Sequence, residues 1–280
     1  MSLQINSHFL NNSIVIIKSL DPGEEDTAMT LYNHLVSISG ADSPRLEFHD
    51  ASSKQHVFQI LDDILVKVRS GMKPIIHFET HGNKDHGLHI FASDEFISWQ
   101  ELVDKFREIN VESNSNLGVV MAACFGMYAI KPIKIFDPSP FFVLISSQDE
   151  IEIEYINEQI WKFYDSLFSS GSLEVAMSDI DEQFASFHAE KFFTVSVIKY
   201  FRYGCMGEAA QERLERLVAE ATSGMTNLTT DQIEAFRKHA EDFITPKPEV
   251  LDRISEKFII DKSKYTVTFD EIMKMASAAA

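Results

Sequence analysis

Two short runs end in residues that could do chemistry. "GVVMAACFG", Gly118 to Gly126, is small and apolar until it reaches Cys124, one of two cysteines in the chain. "PIIHFETHG", Pro74 to Gly82, is apolar until it reaches His81. Cysteine beside histidine is the simplest nucleophile–base pair: the imidazole takes or shares the thiol proton, and the thiolate attacks a carbonyl carbon. Gly82 follows the histidine directly. It would let the backbone approach a substrate closely, and its N–H could join that of Cys124 as an oxyanion hole. Other readings of these residues stay open. A lone cysteine at a strand end is most often packing. His77, Glu79 and His81 alternate and so share one strand face, but "HFETH" is not a zinc-peptidase motif, because Phe78 stands where the glutamate is required. His77 reads as a satisfied core residue or a support for the site. His86 and His89 read as exposed hairpin residues, and Cys205 as a structural thiol. No metal and no cofactor is expected.

The elements that must position the pair can be read from periodicity. "SIVIIKSL" (Ser13 to Leu20), "RLEFHD" (Arg45 to Asp50), "PIIHFET", "LGVVMAA" and "FFVLIS" (Phe141 to Ser146) are strand-like runs. Between them lie amphipathic stretches. Ala28, Leu31, Leu35 and Ile38 mark one helix face; Val57, Ile60, Leu61, Ile64, Leu65 and Val68 mark another. Ser98 and Glu101 have capping-box spacing and open a helix after a hairpin at "LHIFASDEFIS". Buried strands alternating with helices predict an α/β fold, a doubly wound and mostly parallel sheet with helices on both faces. In such a sheet, sites lie beyond the carboxyl ends of the strands. His81 ends the third strand and Cys124 the fourth, so neighbouring strands, ~4.8 Å apart, would bring the two together.

These motifs resemble the caspase-like cysteine peptidases, clan CD. "AACFG" overlaps that group's cysteine signature, Gln-Ala-Cys-Xaa-Gly. "THGNKDHGLHI", "FISWQELVDKF", "VVMAACFG" and "WKFYDSLFSSGSLEVAM" look like successive blocks of the bacterial CHAT branch. The resemblance covers roughly residues 13–180 and implies a peptidase domain over 1–185, a Cys124–His81 dyad, and an oxyanion hole from Gly82 and Cys124. Two features depart from the pattern. Ala122 stands where caspases have a glutamine that helps bind aspartate, and a sixth strand is hard to place. "FFTVSVIKYF" (Phe192 to Phe201) is one candidate for it but reads better as helix, as do "DEQFASFHAEK" before it and "GEAAQERLERLVAEAT" after. Residues 186–280 read as a helical C-terminal extension, with Leu214, Leu217, Val218 and Ala221 on one face, a capping box at Thr229 and Gln232, and Pro248 opening another helix.

The specificity pocket that the resemblance implies draws on the loop after strand one, the residues before the nucleophile and the loop after strand five. Those places hold Asp21 with Glu24 nearby, the small Ala122, and Asp149 with Glu150. A basic substrate residue fits such a set, and a carboxylate would enter it uncompensated. The plain alternative is that Asp21 starts a turn and the acids at 149 and 150 cap a helix. A net charge of −18 without a basic cluster argues against nucleic acid and anionic membranes. Two cysteines are not a disulfide framework. The N-terminal "MSLQINSHFLNNS" does not read as a leader and no run is long enough to span a membrane, so a soluble, cytoplasmic protein is expected. The functional expectation is a cysteine endopeptidase acting on protein or peptide in a regulated, defence or cell-death type pathway, with a regulatory protein partner at the C-terminal helices. The alternatives are an inactive caspase-like scaffold or sensor, and a small-molecule binding module. The last is weakened because "SLDPGEED" makes a poor phosphate cradle.

Overall fold

The computed structural model describes residues 9–181 and 184–278. The stretch read for a leader lies largely outside them. Nine strands and ten α-helices are present among these residues. Six strands form the central sheet: β1 (Ser13–Ser19), β2 (Arg45–Asp50), β3 (Pro74–Thr80), β7 (Gly118–Ala122), β8 (Val143–Ser147) and β9 (Phe184–His188). Their order is β2-β1-β3-β7-β8-β9, parallel throughout except for β9, which runs antiparallel to β8. The inner strands β3, β7 and β8 are buried along their whole length, which explains why they read as continuous apolar runs rather than as alternating ones.

The two faces of β3 show how the sheet is covered. Phe78 packs its ring against Phe106 of α3 (Trp99–Glu112), at 6.0 Å, and α2 (Lys54–Arg69) packs on α3. His77 points the other way, to Tyr164 of α4 (Ile153–Ser170), and α4 packs on α1 (Thr27–Ile38). The sheet is therefore doubly wound. Local signals hold where they were read. Ser98 and Glu101 close a capping box on α3, and the hairpin forms as β5 (Gly87–Ile90) and β6 (Glu95–Ile97), with the short β4 (Gly82–Asn83) beside β5.

The sixth strand is not at 192–201. That stretch belongs to α6 (Ala189–Gly204), where Phe193, Val197 and Phe201 recur at i+4 and are buried. The strand is β9, inside "DEQFASFHAEK", which its Glu, Gln, Ala and Lys content makes look helical. The open edge of β8 decides the matter. Five residues pair with it, from Ser147↔Phe184 to Val143↔His188, and tertiary pairing overrides local preference.

The expected boundary at 185 falls within β9, and most of the C-terminal helices join the main core. Phe258 of α9 (Pro248–Phe258) stacks on Phe193, and Ile272 of α10 (Phe269–Ser277) is fully buried. The pair α7 (Gly207–Thr222) and α8 (Thr230–Ile244) differs: Leu214, Val218 and Ile244 form a separate small cluster, while Ala221 is exposed. α8 begins with the Thr229–Gln232 capping box, and Pro248 opens α9. Among the described residues no helix is long and apolar enough to cross a membrane.

Candidate active site

β3 and β7 are hydrogen-bonded neighbours in parallel register from Ile75↔Gly118 to Glu79↔Ala122. Carried two residues further, the same register sets His81 opposite Cys124. The two chain segments touch there. A side-chain carbon added to Gly82 would lie 1.9 Å from the Cys124 carbonyl oxygen. Glycine at 82 thus permits the close approach of the two strand ends to each other.

The turn after β7 is pinned tightly. Phe125 adopts a left-handed conformation, with φ 61°, which a bulky residue rarely does. Its ring meets Tyr128 edge-on at 5.7 Å. Gly126 packs so closely on β8 that an added carbon would sit 2.0 Å from Ser146 Oγ. Ser146 in turn donates to the Met121 carbonyl at 2.9 Å. Cys124 is therefore displayed on a strained, fully packed bend, and is itself partly exposed.

Each member of the pair has a partner. The Cys124 thiol donates to the Ile151 carbonyl at 3.7 Å, in the loop between β8 and α4. His81 is half-exposed, and its Nε2 lies 3.0 Å from both carboxylate oxygens of Glu24. Among the described residues no hydrogen bond joins the thiol to the imidazole directly. The pair is brought to one edge, but is not locked together.

The residues read as a specificity pocket fall on both sides of this edge. Asp21 Oδ1 accepts from the Gly23 amide at 2.8 Å, and the Asp21 carbonyl accepts from the Glu24 amide at 3.0 Å, so Asp21 does start a turn. Asp149 is held by backbone: its carbonyl accepts from Phe125 N at 3.4 Å and from Ser147 Oγ at 2.5 Å. This brings Asp149 beside the bend that carries Cys124. Asp149 and Glu150 are exposed and do not cap α4, which starts at Ile153 with Glu152 as its N-cap. Ala122 is buried, one alternation below Cys124 on the face it shares with Glu79.

Beneath the edge runs a buried polar chain, of which the sequence pattern marks only His77 and Glu79. Glu79 is 3% exposed. One of its oxygens accepts from Thr27 Oγ1 at 2.5 Å and the other pairs with His77 Nε2 at 2.7 Å; Tyr164 Oη meets His77 Nδ1 at 3.2 Å. With Nε2–H donating to Glu79 and Tyr164 O–H donating to Nδ1, both imidazole nitrogens and both carboxylate oxygens are satisfied. Burial, with the Glu79 charge second, pushes the Tyr164 hydroxyl well above its ordinary value, which keeps it a donor. The chain ties together α1, β3 and α4. Those elements carry or adjoin Glu24, His81 and Ile151. His77 is the satisfied support residue that alternation suggested. Glu79 shares that alternation, though nothing in the sequence ties it to Thr27, and Tyr164 carries no such signal.

The other candidates lie apart from this chemistry. His89 pairs with Asp94 at 3.0 Å and its ring lies 4.8 Å from that of Phe96; His86 is exposed. Cys205 is buried, within 3.3 Å of Arg213 Nη1, and burial pushes its thiol upward. Among the described residues no group of three or more His, Cys, Asp or Glu side chains is placed to hold a metal ion. No protein-family model and no curated protein matches the chain.

Proposed function

We propose that the chain is a caspase-like cysteine endopeptidase with Cys124 as nucleophile and His81 as base, similar to the CHAT branch. The carrying observation is the strand-end juxtaposition: the register that faces His81 with Cys124, and Gly82 in backbone contact with the Cys124 carbonyl. A cysteine on a strained turn at the carboxyl edge of a parallel sheet, beside a half-exposed histidine, suits nucleophilic attack better than packing. In the reaction the S–H proton passes to the imidazole as sulfur bonds to the scissile carbonyl carbon. The carbonyl electron pair moves to oxygen, facing the Cys124 and Gly82 N–H groups. Collapse breaks the C–N bond, and the imidazolium gives its proton to the departing amine. Water then loses a proton to the imidazole, attacks the thioester, and the thiolate leaves.

Cleavage after a basic residue is part of this reading. Asp21 spends one carboxylate oxygen on its own turn and Glu24 faces His81, which leaves Asp149 and Glu150 as the acids open to a substrate cation. A guanidinium would pair with such an acid in a bidentate fork. The substrate is a protein or peptide, the setting cytoplasmic, and a regulatory partner would meet the C-terminal helices, at the separately packed α7–α8 pair. Purified protein should cleave an Arg or Lys peptide faster than its Asp or Leu counterpart, and Cys124→Ala should lose orders of magnitude in rate. Near-normal cleavage by Cys124→Ala would sink the proposal, and a preference for Asp or Leu would sink its specificity.

One observation favours a second reading, an inactive scaffold or sensor: the thiol donates to the Ile151 carbonyl instead of to His81. Cysteine reactivity separates the two. A catalytic thiolate alkylates fast, and faster with His81 than without it.

A further inference from the structure

We propose, resting on the peptidase reading above, that Glu24 is a positioning residue that turns the dyad into a Cys124–His81–Glu24 triad. Both carboxylate oxygens of Glu24 lie 3.0 Å from His81 Nε2. A carboxylate there accepts, so the ring proton of the neutral imidazole sits on Nε2. Nδ1 is then the nitrogen with a free lone pair, and it is the one left to take the thiol proton.

The meeting of Glu24 and His81 is built into the fold. β1 pairs with β3 as far as Ser19↔Thr80, so the loop leaving β1 lies next to the residue that follows β3. On the Glu24 side the main chain is fixed before and after the residue. The Asp21 turn holds it from one end. From the other, Asp26 caps α1 by accepting from the Met29 amide and pairs with Lys18 at 2.6 Å. On the other side, the His81 carbonyl accepts from the His89 amide at 2.9 Å, and Gly82 is wedged against Cys124. Two anchored backbones thus hold the carboxylate and the ring together.

The chemical consequence is a division of labour. When the thiol gives its proton to Nδ1, the S–H bond breaks, an N–H bond forms, and the imidazole becomes a cation. Glu24 faces that cation and accepts its Nε2–H. It also fixes the ring's tautomer and rotation. The two side chains are 50% and 42% exposed, so solvent screens the pair, and the expected effect is about fivefold rather than thousands. Glu24 is also removed from the set of acids that could greet a basic substrate.

The test uses the full chain, with iodoacetamide as probe of Cys124 near neutral pH. Glu24→Ala should slow alkylation about fivefold, and Glu24→Gln, which keeps an acceptor, should restore part of the loss. Imidazole nitrogen NMR, with the His81 signals assigned through their loss in His81→Gln, should show the proton on Nε2 in the wild type and mixed tautomers in Glu24→Ala. Thermal unfolding checks that both variants fold. A merely structural Glu24 would not move the tautomer. An unchanged rate and tautomer in Glu24→Ala overturns the proposal, and so does faster alkylation, which would mean that Glu24 holds the ring away from the thiol. If His81→Gln itself leaves the wild-type rate unchanged, the dyad fails and the role of Glu24 fails with it. If His81→Gln slows alkylation and Glu24→Ala does not, only the role of Glu24 fails.

Discussion

Gly82 and Cys124 are in backbone contact, close enough that a single methyl on Gly82 would lie 1.9 Å from the Cys124 carbonyl oxygen. Neither side of that contact is a flexible side chain, so neither can yield cheaply. Gly82→Ala should push the ends of β3 and β7 apart. We expect a loss of about 1–3 kcal/mol in denaturant unfolding and a marked drop in Cys124 alkylation. Gly40→Ala is the control: nothing lies within 4 Å of its added carbon, and it should be neutral within about 0.5 kcal/mol. Equal behaviour of the two variants would refute the contact.

Alkylation of the native protein should label one cysteine. Cys124 is partly exposed on its bend, whereas Cys205 is buried and its thiol is pushed up by that burial. Mass spectrometry near neutral pH should find Cys124 modified first and Cys205 only after unfolding. Comparable labelling of both would mean that the local environments differ from those described.

The buried chain Thr27–Glu79–His77–Tyr164 should carry stability unevenly. Glu79→Ala strands the Thr27 hydroxyl and the His77 Nε2–H without an acceptor, at a cost of about 3–5 kcal/mol. Tyr164→Phe removes one longer hydrogen bond and should cost about 1 kcal/mol. Chemical denaturation of the single and double variants measures both values and their coupling. Additive losses would show that the chain does not act as a unit.

His188 should make the protein acid-sensitive. Burial pushes its imidazole down to about 4, and among the described residues neither ring nitrogen has a hydrogen-bond partner. In the unfolded chain the ring takes its proton near the ordinary value of 6.5, earlier than in the folded chain. As pH falls from about 6.5 to about 4, the unfolded state therefore binds more protons and stability declines. The full decline is about 3 kcal/mol. His188→Phe should flatten the stability–pH curve in that window. An unaltered slope would exclude His188 as its source.

The C-terminal helices should divide into essential and dispensable parts. Phe258 is fully buried and stacks on Phe193 at 5.4 Å, so Phe258→Ala should cost about 3–5 kcal/mol. Phe243 on α8 is 60% exposed, and Phe243→Ser should change unfolding by no more than about 0.5 kcal/mol. A melting series on the two variants decides the point.

The central strands and the placing of His81 and Cys124 were legible because burial on both faces writes a strand as an apolar run, and the runs of β3 and β7 lead straight to His81 and Cys124. The capping boxes at Ser98 and Thr229 were legible because their partners lie three residues away. What sequence hid was long-range. β9 looked helical until the free edge of β8 was there to receive it. Glu24 looked like one more acid in a solvated turn, because only the β1–β3 register brings it to His81. Ile151 meets the thiol through a carbonyl, which every residue has and no side chain advertises. Tyr164 was one aromatic among many until His77 gave its hydroxyl a use.

The segment around 260 returns to the start of β7. The Ile260 amide donates to Ser115 Oγ at 2.8 Å, and the buried Lys264 ammonium donates to the Ser115 carbonyl at 3.0 Å and to Asn116 Oδ1 at 2.6 Å. A ribosome makes this segment only after all nine described strands have emerged. Until then the root of the central strand that leads to Cys124 stays open, and those buried polar groups find only water. Such long-range closure is slow and comes late. A nascent chain of this design would be assembled in a fixed order, the edge that bears Cys124 made firm only by residues that follow every described strand.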